Sequence, residues 1–116
     1  MSNQPSLSFV HGIKQLIEIN ESATVSRTIL KAETCRAVLF SFDEGQALSE
    51  HTAAMPAVVQ VLEGRIRVDA DGQSVELAPG DLLHFGTRLP HALEALEPAK
   101  MLLLMLDPKE TGPAVE

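Results

Sequence analysis

From Val25 onward, apolar and polar positions alternate in short runs separated by glycine and proline. Ile66 and Val68 alternate with Arg65, Arg67 and Asp69; Val75 and Leu77 alternate with Ser74 and Glu76. A period of two puts successive side chains on opposite faces, so each run predicts a strand with one face on a core. Asp71-Gly72 lies between these runs and suits a two-residue hairpin turn. Pro79-Gly80 predicts another turn before a strand over Asp81–Phe85. β-Branched and aromatic residues mark further strands at Val25–Glu33 and Arg36–Asp43. Lys100–Leu106 is apolar on both faces, as a central strand covered on both sides would be. Gly12–Glu21 fits one short helical turn or an irregular strand equally well. Short strands at this spacing, with no long helix, predict an all-β sandwich or barrel. One domain spans 1–116, its barrel core covers roughly 25–106, and 1–10 and 107–116 read as tails.

Composition narrows the function classes. A chain of 116 residues can bury one core without disulfide or metal staples. Its net charge of −7, with no Lys/Arg cluster, disfavours nucleic acid and anionic membranes as partners. Trp and Tyr are absent and only four Phe occur, so stacking platforms for single-stranded nucleic acid are lacking. Cys35 is alone, which excludes an intrachain disulfide and a Cys-rich zinc site. It reads as a small buried hydrophobe. Met1–Ser8 lacks the basic and apolar regions of a signal peptide, and the apolar run Met101–Leu106 is too short to span a bilayer. The expected location is the cytoplasm. No phosphate-binding glycine loop, nucleophile elbow or HExxH helix occurs.

The informative stretch runs from Gly45 through Glu50-His51-Thr52 to Gly64, then from Gly80 to Pro90-His91-Ala92-Leu93. In residue type and spacing it resembles the two motifs of the cupin superfamily. Gly45, His51 and Gly64 fall on the marks of the first motif, while Ala53 replaces its second His and Ala57 its Glu. Gly80 and His91 fit the second motif; Gly86-Thr87-Arg88 stands at its corner and Ala95 replaces its Asn. With Lys100-Met101-Leu102-Leu103 near the end, the wording is similar to a subgroup of small cupins. The resemblance implies a jelly-roll β-barrel of short antiparallel strands.

In metal-binding cupins the matching positions supply three His and one Glu to Fe, Mn, Ni or Zn. Only His51 and His91 of that set are present here. A catalytic metal usually takes three protein ligands, so two imidazoles predict weak binding of a divalent metal or a purely hydrogen-bonding role. Strand alternation, taken with the family pattern, places His51 and His91 in a barrel pocket with Ala53, Ala57, Val59, Val61, Leu83, Phe85, Leu93 and Ala95. If His51 faces inward, Ser49 does too, and Glu50 faces out. His84 falls on the outer face, although a bulge at Gly86 would shift that parity and make it a third ligand. Arg65 and Arg67 on one strand face could receive an anion; solvent-facing charge is the commoner case.

The expected function is that of a small-molecule-binding barrel with a largely apolar, two-histidine pocket and a degenerate metal site. The alternative is a metal-dependent enzyme of oxygenase or isomerase type using His51, His91 and an unidentified third ligand. The sequence leaves open whether the ligand is transformed. A homodimer is expected, joined through the N-terminal strand, because an unpaired edge strand invites aggregation.

Overall fold

The computed structural model describes residues 6–107 and consists of nine strands after a single 3-10 turn. The strands are β1 (Thr24–Lys31), β2 (Cys35–Phe42), β3 (Ala47–His51), β4 (Ala57–Glu63), β5 (Ile66–Ala70), β6 (Gln73–Leu77), β7 (Leu82–Phe85), β8 (His91–Ala95) and β9 (Ala99–Leu106). They form two antiparallel sheets, ordered β1-β2-β9-β4-β7 and β3-β8-β5-β6. The fold is an all-β jelly-roll barrel. Lys100–Leu106 lies in β9, between β2 and β4, which explains why both its faces are apolar. The two-residue hairpin forms: Asp71 and Gly72 take φ of 54° and 69° between the paired Ala70 and Gln73. That pair of left-handed residues matches the twist of the flanking strands.

Alternation decides which side chains enter the core. Phe42, Val59, Val61, Phe85, Ala99 and Met101 come from the five-stranded sheet and meet Ile66, Val68, Leu77, Leu93 and Ala95 from the other. Full burial of each large apolar side chain stabilises the fold by roughly 1.5–3 kcal/mol. The outer face of the four-stranded sheet is charged instead. Arg65 pairs with Glu76, and Arg67 lies 2.7 Å from Glu94 and 3.5 Å from Asp69. These guanidiniums already hold carboxylates. At their exposure each such pair contributes about 0–1 kcal/mol.

The N-terminal segment packs against the barrel ahead of β1. Its helical option is realised as a 3-10 turn over Ile13–Leu16, and residues up to Glu18 cover the outer face of the five-stranded sheet. Leu39 is fully buried on the face of β2 opposite Phe40 and Phe42, so that face needs a cover. Ile17 is buried over it, and Ser41, also fully buried, donates its hydroxyl to the Glu18 carbonyl at 2.8 Å. Arg27 and Lys100 donate to the carbonyls of Leu16 and Lys14. Of the two tails, residues 1–5 and 108–116 lie outside the described residues. Cys35 opens β2 half-buried.

Two turns are fastened by aspartates. Asp81 accepts the Ala78 N–H at 2.8 Å and closes the Pro79-Gly80 turn. Asp43 accepts the backbone N–H of Ser22 and of Glu44, and these bonds hold its carboxyl below the ordinary aspartate range. Among the described residues, no helix is long and apolar enough to cross a membrane.

Candidate histidine site at the barrel mouth

β3 and β8 pair with Leu48 opposite Leu93 and His51 opposite His91. Ser49 and Glu50 on β3 therefore oppose Ala92 alone on β8, and the extra residue is a bulge. The bulge corrects the simple alternation: Leu48, not Ser49, packs on the core, while His51 still meets His91. Ser49 is exposed, and Glu50 lines an outer groove. An apolar Leu48 and a paired His51 sit an odd number of positions apart. Only an irregular strand accommodates both.

The two imidazoles lie edge to face, with ring centroids 4.4 Å apart at 62°. His91 stacks against Phe85 on β7 at 3.9 Å and 15°. His91 is buried and His51 exposed, so the pair marks the mouth of the barrel rather than its centre. Each ring is oriented by its own strand: His51 Nδ1 is 2.8 Å from the Ser49 carbonyl and His91 Nδ1 is 2.8 Å from that of Leu89. A carbonyl only accepts, so each Nδ1 is the donor in its contact. No buried side-chain nitrogen or oxygen among the described residues lacks a partner, so neither Nε2 is sealed into the core unsatisfied.

The other predicted pocket residues divide by depth. Leu83 and Phe85 border a hollow of about 200 Å3. Val59, Val61, Leu93 and Ala95 are packed within the core cluster. Ala57 is buried opposite Phe85 in the β4–β7 register. Ala53 is half-buried, and its carbonyl accepts the Arg88 N–H at 2.9 Å, which ties the β3–β4 and β7–β8 loops together. His84 is exposed, paired with Val58 in the β4–β7 register, and is also among the residues that line the hollow. Sequence reasoning missed Val68, Ala70, Val75 and Leu89 as walls of the hollow. The signal for Val68, Ala70 and Val75 was present in the inward alternation of β5 and β6, whereas Leu89 lies in the β7–β8 loop, where alternation gives none.

The hollow continues into an open groove of about 780 Å3, and the two share Ala70, Asp71, Gln73 and Leu89. Glu50 and Asp69 also line the groove, so its polar side is acidic. Among the described residues, no three His, Cys, Asp or Glu side chains converge as a metal-holding group.

A family model described as "Cupin domain" matches residues 38–106. The chain is 28% identical to a conserved protein of unknown function from Streptococcus pyogenes, with a TM-score of 0.79, covering 95% of this chain and 98% of that one. It is 27% identical to a cupin superfamily protein from Desulfitobacterium hafniense, with a TM-score of 0.77 and coverage of 90% and 95%. An RmlC-like cupin from Desulfovibrio desulfuricans, 23% identical with a TM-score of 0.77 over 89% and 100% of the chains, shows the fold alone. A comparison with curated proteins returns no match.

Proposed function

This chain belongs to the cupin family, and from that premise we propose that it binds a small, largely apolar molecule at the barrel mouth beside His51 and His91. One observation supports the reading: His91, edge to face with His51, stacks on Phe85, the residue that also walls the hollow. The hollow of about 200 Å3, lined by apolar side chains together with Asp71, Gln73 and His84, is large enough in volume for a single-ring molecule, since a cavity of roughly 150 Å3 accommodates benzene in another protein. Toluene titrated against the untagged protein should give saturable binding by ligand-observed NMR. Leu83→Trp, which fills the hollow, should abolish it. Unchanged toluene binding in Leu83→Trp, or none in the wild type, would overturn the reading.

The donor set does not fit a resident catalytic metal. Two imidazoles would have to hold a divalent cation with no third ligand converging on them among the described residues, because Ala53 and Ala57 stand where the family places His and Glu. One feature favours the metal-enzyme alternative: a donated Nδ1–H is how metal-ligating histidines are usually oriented. A third ligand is still needed, and no group of three His, Cys, Asp or Glu converges among the described residues. Binding to a displaceable, substoichiometric metal is therefore the most this pair supports.

A homodimer in the cytoplasm completes the proposal. β1 is paired by β2 on one side and is the edge of its sheet on the other, which leaves an eight-residue strand edge for a second copy. Light scattering at micromolar concentration should give twice 12.5 kDa, and a 12.5 kDa species would count against the pairing.

A further inference from the structure

A second apolar space lies on the outer face of the five-stranded sheet, away from the histidines. It is a groove of about 190 Å3 lined by Ile29 and Leu30 of β1, Ala37 of β2 and Leu102 of β9, with Phe9 and Ile13 of the N-terminal segment. Ile29 and Leu30 are consecutive, and both reach the groove at the bulge between Thr28 and Leu30. Leu7 is 84% and Phe9 68% exposed, an unusual amount of apolar side chain to leave in water. Phe9 meets His11 edge to face, but His11 is exposed as well. Among the described residues, no hydrogen bond holds residues 6–11. Further along, the segment is pinned at the carbonyls of Lys14, Leu16 and Glu18.

Resting on the β1-edge dimer proposed above, we infer that a second copy of the chain fills this groove. Leu7 and Phe9 of each protomer insert into the groove of its partner, across the paired β1 strands. One patch carries all three parts: the free edge of β1, a groove that begins on β1, and an unsecured apolar hook at its rim. A two-fold interface uses the same patch on both copies, so hook and groove must lie side by side on one protomer, as they do here. Antiparallel pairing of two β1 strands sets the two-fold axis perpendicular to the joined sheet. Both outer faces then lie on one side, and the hook of one copy faces the groove of the other. Neighbouring strands are about 4.8 Å apart, a gap that a phenylalanine side chain crosses. Edge pairing alone would join the copies only through backbone; reciprocal insertion adds the side-chain burial that closes the interface.

Sedimentation equilibrium over a concentration series should show the wild type as a dimer. Combining Leu7→Ser with Phe9→Ser should raise its dissociation constant about a hundredfold or more, since each lost side chain counts twice. Both side chains are exposed within one protomer, so the circular dichroism of this variant should match the wild type. A measurement on the wild type alone makes the test independent of any variant. In a mixture of isotope-labelled and unlabelled protein, filtered NOE spectra should connect the Phe9 ring of one protomer with the Ile29 and Leu30 methyls of the other. A wild-type dimer that the double substitution leaves intact, or one without these intermolecular contacts, overturns the inference and leaves the β1 pairing standing. A monomeric wild type overturns both. If toluene shifts the Ile29 and Leu30 methyls of such a monomer, the groove belongs to a small ligand instead.

Discussion

Gly64→Ala is expected to lower the stability of the fold by roughly 3–5 kcal/mol, at the upper end of single-substitution effects. Gly64 opens the β4–β5 turn with φ of 79°, a region that L side chains rarely adopt. A Cβ placed there would meet the Pro98 carbonyl oxygen at 2.1 Å and the Ala99 Cα at 2.8 Å. Both are backbone atoms, so no rotamer change relieves the contact, and Ala99 is a fully buried member of β9. The β8–β9 turn would have to withdraw from β4, next to the register shift between Val61 and Glu63. Gly80→Ala separates the two causes. Its φ is 96° but nothing lies within 4 Å of its Cβ position, so it should cost only the conformational part, about 1–2 kcal/mol. Denaturant unfolding of both variants checks this: equal losses would mean that the approach to Pro98 is not what requires glycine.

Phe85→Ala should cost about 3–5 kcal/mol, through lost transfer energy and the cavity left behind. Phe85 is 3% exposed, packs on the core cluster and presents its ring face to His91. The effect reaches the site as well as the fold. Phe85→Leu keeps most of the volume and should cost less than about 1.5 kcal/mol, yet it removes the stacked ring. The upfield ring-current shift of the His91 imidazole protons should then vanish in a protein that remains folded. An unchanged His91 spectrum in Phe85→Leu would show that the stack does not exist in solution.

The two largest effects fall on residues that were readable to different degrees. Gly64 stood out as a motif position, but its physical reason, a close pass of the Pro98 carbonyl, involves a partner far along the chain. Alternation in β7 put Leu83 and Phe85 on one face and His84 on the other, and the burial of those strand residues follows the same order. Alternation gives the face of a strand; it does not give depth along the barrel. Val59 and Val61 are fully buried in mid-barrel, whereas Leu83 and Phe85 reach the hollow at the end of a four-residue edge strand. The β3 bulge was not legible because a period of two has no term for an extra residue. The cover over β2 was hinted at: Ala37, Leu39 and Ser41 are small or apolar on the face opposite Phe40 and Phe42. That pattern asks for a second layer, and Ile17 supplies part of it. Strand order in the two sheets was not legible, since no local pattern encodes which distant strands pair; the family resemblance gave only the barrel type.

The claim that His51 and His91 form a hydrogen-bonding ligand site rather than a resident metal centre is tested most directly by metal content. Protein purified without a His-tag and exhaustively dialysed should retain Zn, Fe, Mn and Ni well below one equivalent by elemental analysis. Any residue of binding should disappear in His51→Ala and in His91→Ala, and should be unaffected in His84→Ala. Near-stoichiometric metal surviving dialysis would contradict the account, and its loss in His84→Ala would show that β7 presents His84 to the site.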